Sequence, residues 1–122
     1  MLKLLVVEDD PIKFNTIKSH LHETEVTHCT SIRSGMIAMR DASYDGVILD
    51  MGLPLRDDGG GYAPDNGMLM LQELAKNSNE IPVLVVSGNE FDISRYSNVL
   101  GYIKYCPTID ISSRMFAFMQ EV

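Results

Sequence analysis

Leu2-Lys3-Leu4-Leu5-Val6-Val7-Glu8-Asp9-Asp10-Pro11 decides how this chain is read, because an apolar run breaks off abruptly at three acids and a proline. The run is far too short to span a bilayer or to serve as a signal peptide. Its near-continuous, β-branched hydrophobicity is that of a strand covered on both faces, which belongs in a parallel sheet. The design recurs twice. Val47-Ile48-Leu49 stops at Asp50, and Ile81-Pro82-Val83-Leu84-Val85-Val86 stops at Ser87.

Helical patterns fill the intervals. Asp10 and Pro11 make an N-cap and first-turn pair, followed by Phe14, Ile17 and Leu21 at helical spacing. A second helix runs through Gly35 to Arg40 with Met36 and Met39 on one face, and a third carries Met68, Leu71, Leu74 and Ala75. Ile111, Met115, Phe118, Met119 and Val122 form the most regular stripe, that of a last helix packed on the sheet. Weaker strands are expected near Val26–Thr30 and Tyr102–Tyr105. Alternating strands and helices imply an α/β fold, a five-stranded, doubly wound parallel sheet with helices on both faces.

The 122 residues suit one domain, 1–122, and 45% hydrophobic content suffices for a core. Eight Met among few aromatics are adaptable core fillers. A net charge of −7 would be repelled by a phosphate backbone, so direct nucleic-acid binding is not expected, nor is a membrane partner. Cys29 and Cys106, far apart and without a histidine cluster, read as two reduced, partly buried thiols of a cytosolic protein.

In an open parallel sheet, ligands bind beyond the carboxyl ends of the strands, near the point where strand order reverses. Glu8, Asp9, Asp50 and Ser87 all fall at such ends. Converging carboxylates repel one another, and a hard divalent ion such as Mg²⁺ relieves the repulsion. A single acid there would be an ordinary loop residue; acids ending two separate buried strands point to a site. Dinucleotide, P-loop and flavin-phosphate binding fit badly, because the first turn holds three negative charges and no glycine. His20, His22 and His28 read as surface or helix-end residues, not tied to the acids.

These residues carry a resemblance. Leu4-Leu5-Val6-Val7-Glu8-Asp9-Asp10-Pro11 resembles the opening of response-regulator receiver domains, and Tyr44-Asp45-Gly46-Val47-Ile48-Leu49-Asp50-Met51-Gly52-Leu53-Pro54 is similar to the segment that bears their phosphoacceptor aspartate. Ser34-Gly35-Met36-Ile37-Ala38-Met39, Val83 to Gly88 and Gly101-Tyr102-Ile103 resemble the family's second helix, its strand ending in Ser or Thr, and its aromatic switch strand. The resemblance implies the flavodoxin-like receiver architecture and a set of roles. Asp50 would be the nucleophile that takes the phosphoryl group. Asp9, Asp50 and the Gly52 carbonyl would ligate Mg²⁺, with Glu8 held more loosely through water. Ser87 would bind a phosphoryl oxygen, and Tyr102 would turn inward in response.

Three departures stand out. The family's catalytic lysine lies three positions after the switch aromatic and directly before a proline; that step from Tyr102 lands on Tyr105, followed by Cys106 and Pro107, with Lys104 one position early. A one-residue slip reverses the face of a strand side chain, so either a bulge returns Lys104 to the site or Tyr105 occupies its place. Met51 to Asn66, with Gly59-Gly60-Gly61, exceeds the usual loop by about eight residues; it would cover the pocket or present a partner surface. Its Asp57, Asp58 and Asp65 lack calcium-loop spacing and read as solvated. Gly88 to Asn98 is too short for a full fourth helix.

The function expected from the resemblance is a stand-alone receiver, not a turnover enzyme, which accepts a phosphoryl group from a histidine kinase or phosphotransfer protein and signals to a downstream effector protein. A pseudo-receiver that serves as a phosphorylation-independent interaction module is the alternative. A metal-dependent phosphohydrolase is a third, without an evident general acid or substrate pocket.

Overall fold

The computed structural model describes residues 1–122, the side chain of Ile93 excepted. The elements run β1 (Leu2–Val7), α1 (Pro11–Lys18), β2 (Thr24–Cys29), α2 (Ile32–Asp41), β3 (Gly46–Leu49), α3 (Gly67–Lys76), β4 (Val83–Ser87), β5 (Val99–Lys104) and α4 (Ser112–Met119). The five strands pair in the order β2-β1-β3-β4-β5, all parallel, so the chain reverses direction across the sheet between β1 and β3. The expected doubly wound sheet is therefore present.

Strand alternation divides the core in two. Leu5, Val7, Val47, Leu49, Val83 and Val85 meet α2 and α3 on one face; Leu4, Val6, Ile48, Leu84, Val86 and Ile103 meet α1 and α4 on the other. Asp10 caps α1 as its spacing implies, its Oδ1 accepting from the Ile12 amide at 2.9 Å. On α3 the buried stripe is Met70, Leu71 and Leu74; Ala75, placed on the apolar face by periodicity, is exposed. Both cysteines are free, but only Cys29 is buried and Cys106 is exposed, against the expectation of two partly buried thiols. Among the described residues no helix is long and apolar enough to cross a membrane.

The fourth-helix slot holds a single 3-10 turn, Ile93–Arg95, capped by Asp92. The partly buried Phe91, Tyr96 and Tyr102 pack against the core on that side.

The long segment after Asp50 is folded. Leu53 pairs with Ala63 in an antiparallel bridge, and the carbonyls of Pro54 and Leu55 accept from the first two amides of α2, Ile32 and Arg33, at 3.0 Å each. These amides have no partner within the helix, so the loop satisfies them. Asp57 is exposed, as the sequence suggested, and it also tethers the loop: its Oδ1 accepts from Ser31 Oγ at 2.6 Å and Thr30 Oγ1 at 3.2 Å. Those hydroxyls hold its carboxyl below the usual range. Buried Asn66 closes the loop by donating through Nδ2 to the carbonyls of Leu53 (2.7 Å) and Gly61 (2.8 Å).

Replacing Asn66 by Ala removes the donor to the Gly61 carbonyl and the shorter of the two donors to the Leu53 carbonyl, which costs about 1–3 kcal/mol. Urea unfolding should register that loss, and proteolysis within residues 55–62 should become faster.

Candidate functional site

Parallel pairing aligns Val7 with Leu49, so the residues that follow, Glu8 and Asp50, leave the sheet side by side. The Asp50 amide still donates to the Val7 carbonyl at 3.1 Å, and the Glu8 amide to the Cys29 carbonyl at 2.9 Å. Ligand atoms of Glu8, Asp9 and Asp50 consequently lie within 4.8 Å of one another, as the strand ends predict. Glu8 is 1% exposed and Asp50 8%, while Asp9 is open to solvent.

Three acids in so small a volume need compensation, and it comes from a residue that strand-end reasoning did not single out. Lys13, on the first turn of α1, is 5% exposed; its Nζ lies 2.7 Å from Glu8 Oε1 and 3.2 Å from Asp50 Oδ2. The Tyr105 ring centroid lies 5.2 Å from the same ammonium. The signal was present in the helical spacing: Lys13 precedes buried Ile17 by four residues and so shares its face.

The remaining bonds are local. Asp50 Oδ1 accepts from the Met51 amide at 2.7 Å, and Glu8 Oε2 from the Asp10 amide at 3.1 Å. Glu8 Oε1 is buried without a hydrogen bond despite its nearness to Lys13, so the ion pair is not also an aligned hydrogen bond. Burial first, then the Asp50 charge, push the Glu8 carboxyl up to about 8, against the pull of Lys13. Burial and the same neighbouring charge raise Asp9. Buried carboxylate oxygens with incomplete hydrogen bonding are hard donors that suit a divalent ion. The site fits such an ion.

Lys104 is not brought to the acids. It lies on the surface, its side chain 61% exposed and paired with Glu90. The β4–β5 ladder does carry a register shift, between Val83↔Val99 and Leu84↔Gly101, but this precedes Tyr102. From Tyr102 onward the alternation is regular, so Lys104 points to the Tyr102 side of the sheet and Tyr105 to the α1 side.

Ser87 is fully buried, and its Oγ accepts from the Asn89 amide at 3.2 Å. Asn89 in turn accepts the Tyr102 hydroxyl on its carbonyl at 2.7 Å and donates through Nδ2 to the Pro64 carbonyl at 3.0 Å. One residue therefore links Ser87, the half-buried Tyr102 and the long loop, a junction the sequence did not disclose. The return limb of the loop also meets Gly52: a Cβ there would run into the Tyr62 hydroxyl and the Asn89 side chain. The middle of the loop, by contrast, is bonded to the start of α2. Gly67 is needed close by, since a Cβ would strike the Asp50 carbonyl oxygen.

His28 corrects one expectation, for its Nε2 hydrogen-bonds the Glu8 carbonyl at 2.8 Å and its ring stacks on Phe14. The histidine thus touches the cluster through the backbone. A cavity of about 900 Å³ lies elsewhere, between α2, α3 and the loop around Met36, Leu55 and Met70, and contains none of the three clustered acids.

No family model matches the chain. The transcriptional regulatory protein QseB of Haemophilus influenzae is 30% identical over 91 residues, which are 73% of this chain; the match spans 37% of that protein. The response regulator TrrA of Thermotoga maritima, solved in complex with Mg²⁺–BeF, superposes with a TM-score of 0.76 at 18% identity over 100% of both chains. A CheY-like receiver domain from Methanospirillum hungatei gives 0.69 at 18% identity over 100% of this chain and 99% of that one. The Mn²⁺-bound response regulator Rcp1 gives 0.70 at 17% identity, over 98% and 91%. The chain has the fold of the response-regulator receiver domains.

Proposed function

We propose that this domain accepts a phosphoryl group on Asp50 from the phosphohistidine of a histidine kinase or phosphotransfer protein, and passes the resulting change to an effector protein. The observation that carries the reading is the convergence of Glu8, Asp9 and a nearly buried Asp50 at the reversal point of a receiver-type sheet. In the transfer, an Asp50 carboxylate oxygen bonds to phosphorus while the bond from phosphorus to the imidazole nitrogen breaks, and the electron pair leaves with the imidazole. Asp9, Asp50 and the Gly52 carbonyl would hold Mg²⁺, with Glu8 reaching it through water. When bound, that ion neutralises charge between the attacking carboxylate and the phosphoryl oxygens.

Ser87 would donate its hydroxyl to a phosphoryl oxygen, which draws the hydroxyl away from the Asn89 amide. Asn89 also holds Tyr102 and Pro64, so the loss of that contact would loosen the switch aromatic and the loop together. The outward placement of Lys104 favours the alternative of a pseudo-receiver, in which the same surfaces bind a partner without phosphorylation.

Intact mass after incubation with acetyl phosphate and Mg²⁺ separates the two. A phosphate-sized adduct is expected on the native chain, absent from Asp50→Asn and absent in EDTA; a native chain that binds Mg²⁺ but gains no mass is a pseudo-receiver.

A second expectation concerns pH. Glu8 rises from an ordinary 4.5 to about 8 on folding, so the folded chain holds this proton more tightly than the unfolded one. Metal-free stability must then fall as pH rises through that window. Urea unfolding in EDTA should lose on the order of 1–2 kcal/mol between pH 5 and 8. Glu8→Gln should flatten the slope, and the stabilisation by saturating Mg²⁺ should be larger at pH 8 than at pH 6.

A further inference from the structure

We propose that Lys13 is the resident cation of the site and the ammonium that meets the phosphoryl group on Asp50, the task for which Lys104 is turned the wrong way. The inference rests on the phosphoacceptor reading and names the residue that makes it workable.

A lysine is seldom buried, because its ammonium loses hydration that only close anions restore. Lys13 is 5% exposed, and both its ion-pair partners are acids of the cluster. It is the only Lys or Arg, among the described residues, paired with any of Glu8, Asp9 or Asp50. Its contact on the acceptor is Oδ2, while Oδ1 is engaged by the Met51 amide. The ring of Tyr105 lies beside the ammonium, and Phe14 follows it in the helix, so its stem is embedded where it stands.

This geometry has two consequences. Without a divalent ion, Lys13 holds Glu8 and Asp50 together and competes for the oxygens an incoming ion would take. During transfer, an Asp50 oxygen bonds to phosphorus, the bond from phosphorus to the donor's leaving atom breaks, and the leaving group takes the electron pair. The arriving phosphoryl oxygens bring negative charge within reach of the ammonium, which keeps its protons and donates a hydrogen bond to one of them.

Four chains are compared: native, Lys13→Met, Lys13→Arg and Lys104→Met. Two readouts are taken on each, the rate of acetyl-phosphate labelling by intact mass and the Kd for Mn²⁺ alone, by titration of free ion. Lys13→Met should label at least about 100-fold more slowly, the loss typical of removing a donor that stabilises developing charge. It should bind Mn²⁺ more tightly, by about tenfold, because the competing ammonium is gone. Lys13→Arg should restore part of the labelling, and Lys104→Met should match the native chain in both readouts.

A purely structural lysine would lose labelling and ion binding together, and that result overturns the proposal. Loss of labelling in Lys104→Met with native labelling in Lys13→Met also overturns it. If Lys13→Met does not fold, the exposed Lys104→Met and the Lys13→Arg chain decide: native labelling in the first and slowed labelling in the second support the proposal, and the reverse overturns it. A native chain that binds Mn²⁺ but never labels defeats the phosphoacceptor reading itself, and this proposal with it.

Discussion

The parallel ladder between β1 and β3 is the constraint on which the rest depends. Leu4↔Gly46 through Val7↔Leu49 fixes the level at which two buried strands leave the sheet, and Glu8 and Asp50 emerge together because of it. A slip of one residue would turn the apolar side chains of β3 to the wrong faces, so the core that makes the sheet stable also makes the acids converge. Both hydrophobic layers enforce the same register, one through Val47 and Leu49 and the other through Ile48. The site is costly to assemble electrostatically, and core packing supplies the stability that tolerates it.

Charge bookkeeping then explains the neighbourhood. Glu8 and Asp50 stand almost without solvent, and the cation that answers them is drawn from the first turn of α1, where the Asp10 cap fixes how the helix enters. Tyr105 completes the wall on that side. On the other side, Asn89 joins Ser87, Tyr102 and Pro64, so the buried hydroxyl at the end of β4 and the long loop share one residue. The 3-10 turn that stands in for a helix between β4 and β5 leaves this junction short and direct.

Most of the fold was legible because buried parallel strands and amphipathic helices each leave a period in the sequence. The ends of the buried strands revealed Glu8, Asp9 and Asp50 for the same reason. What stayed hidden depends on side chains whose placement is tertiary. Lys13 looks like a polar helix residue until the first turn is seen folded against the acids, although its spacing to Ile17 marks the buried face. The direction of Lys104 turned on where the β5 register shift falls, which no local pattern states. Asp57 looked like a solvated loop acid and is exposed, yet it also binds the loop to the start of α2, and Asn66, which no pattern marked, binds the loop to itself. Asn89 had no pattern to betray it, since its role consists of partners distant in sequence.

The outward turn of Lys104 has a meaning for the sheet as well. β5 is an edge strand whose outer row of backbone groups meets no further strand, although the Tyr102 carbonyl accepts from Arg114 at 3.1 Å. Exposed edges invite another chain to add itself, and lysines and local irregularities along the edge discourage that. Lys104 on its surface, together with the register shift near Leu100, puts both devices on this border. A lysine remote from the acids therefore sits where it discourages a sixth strand.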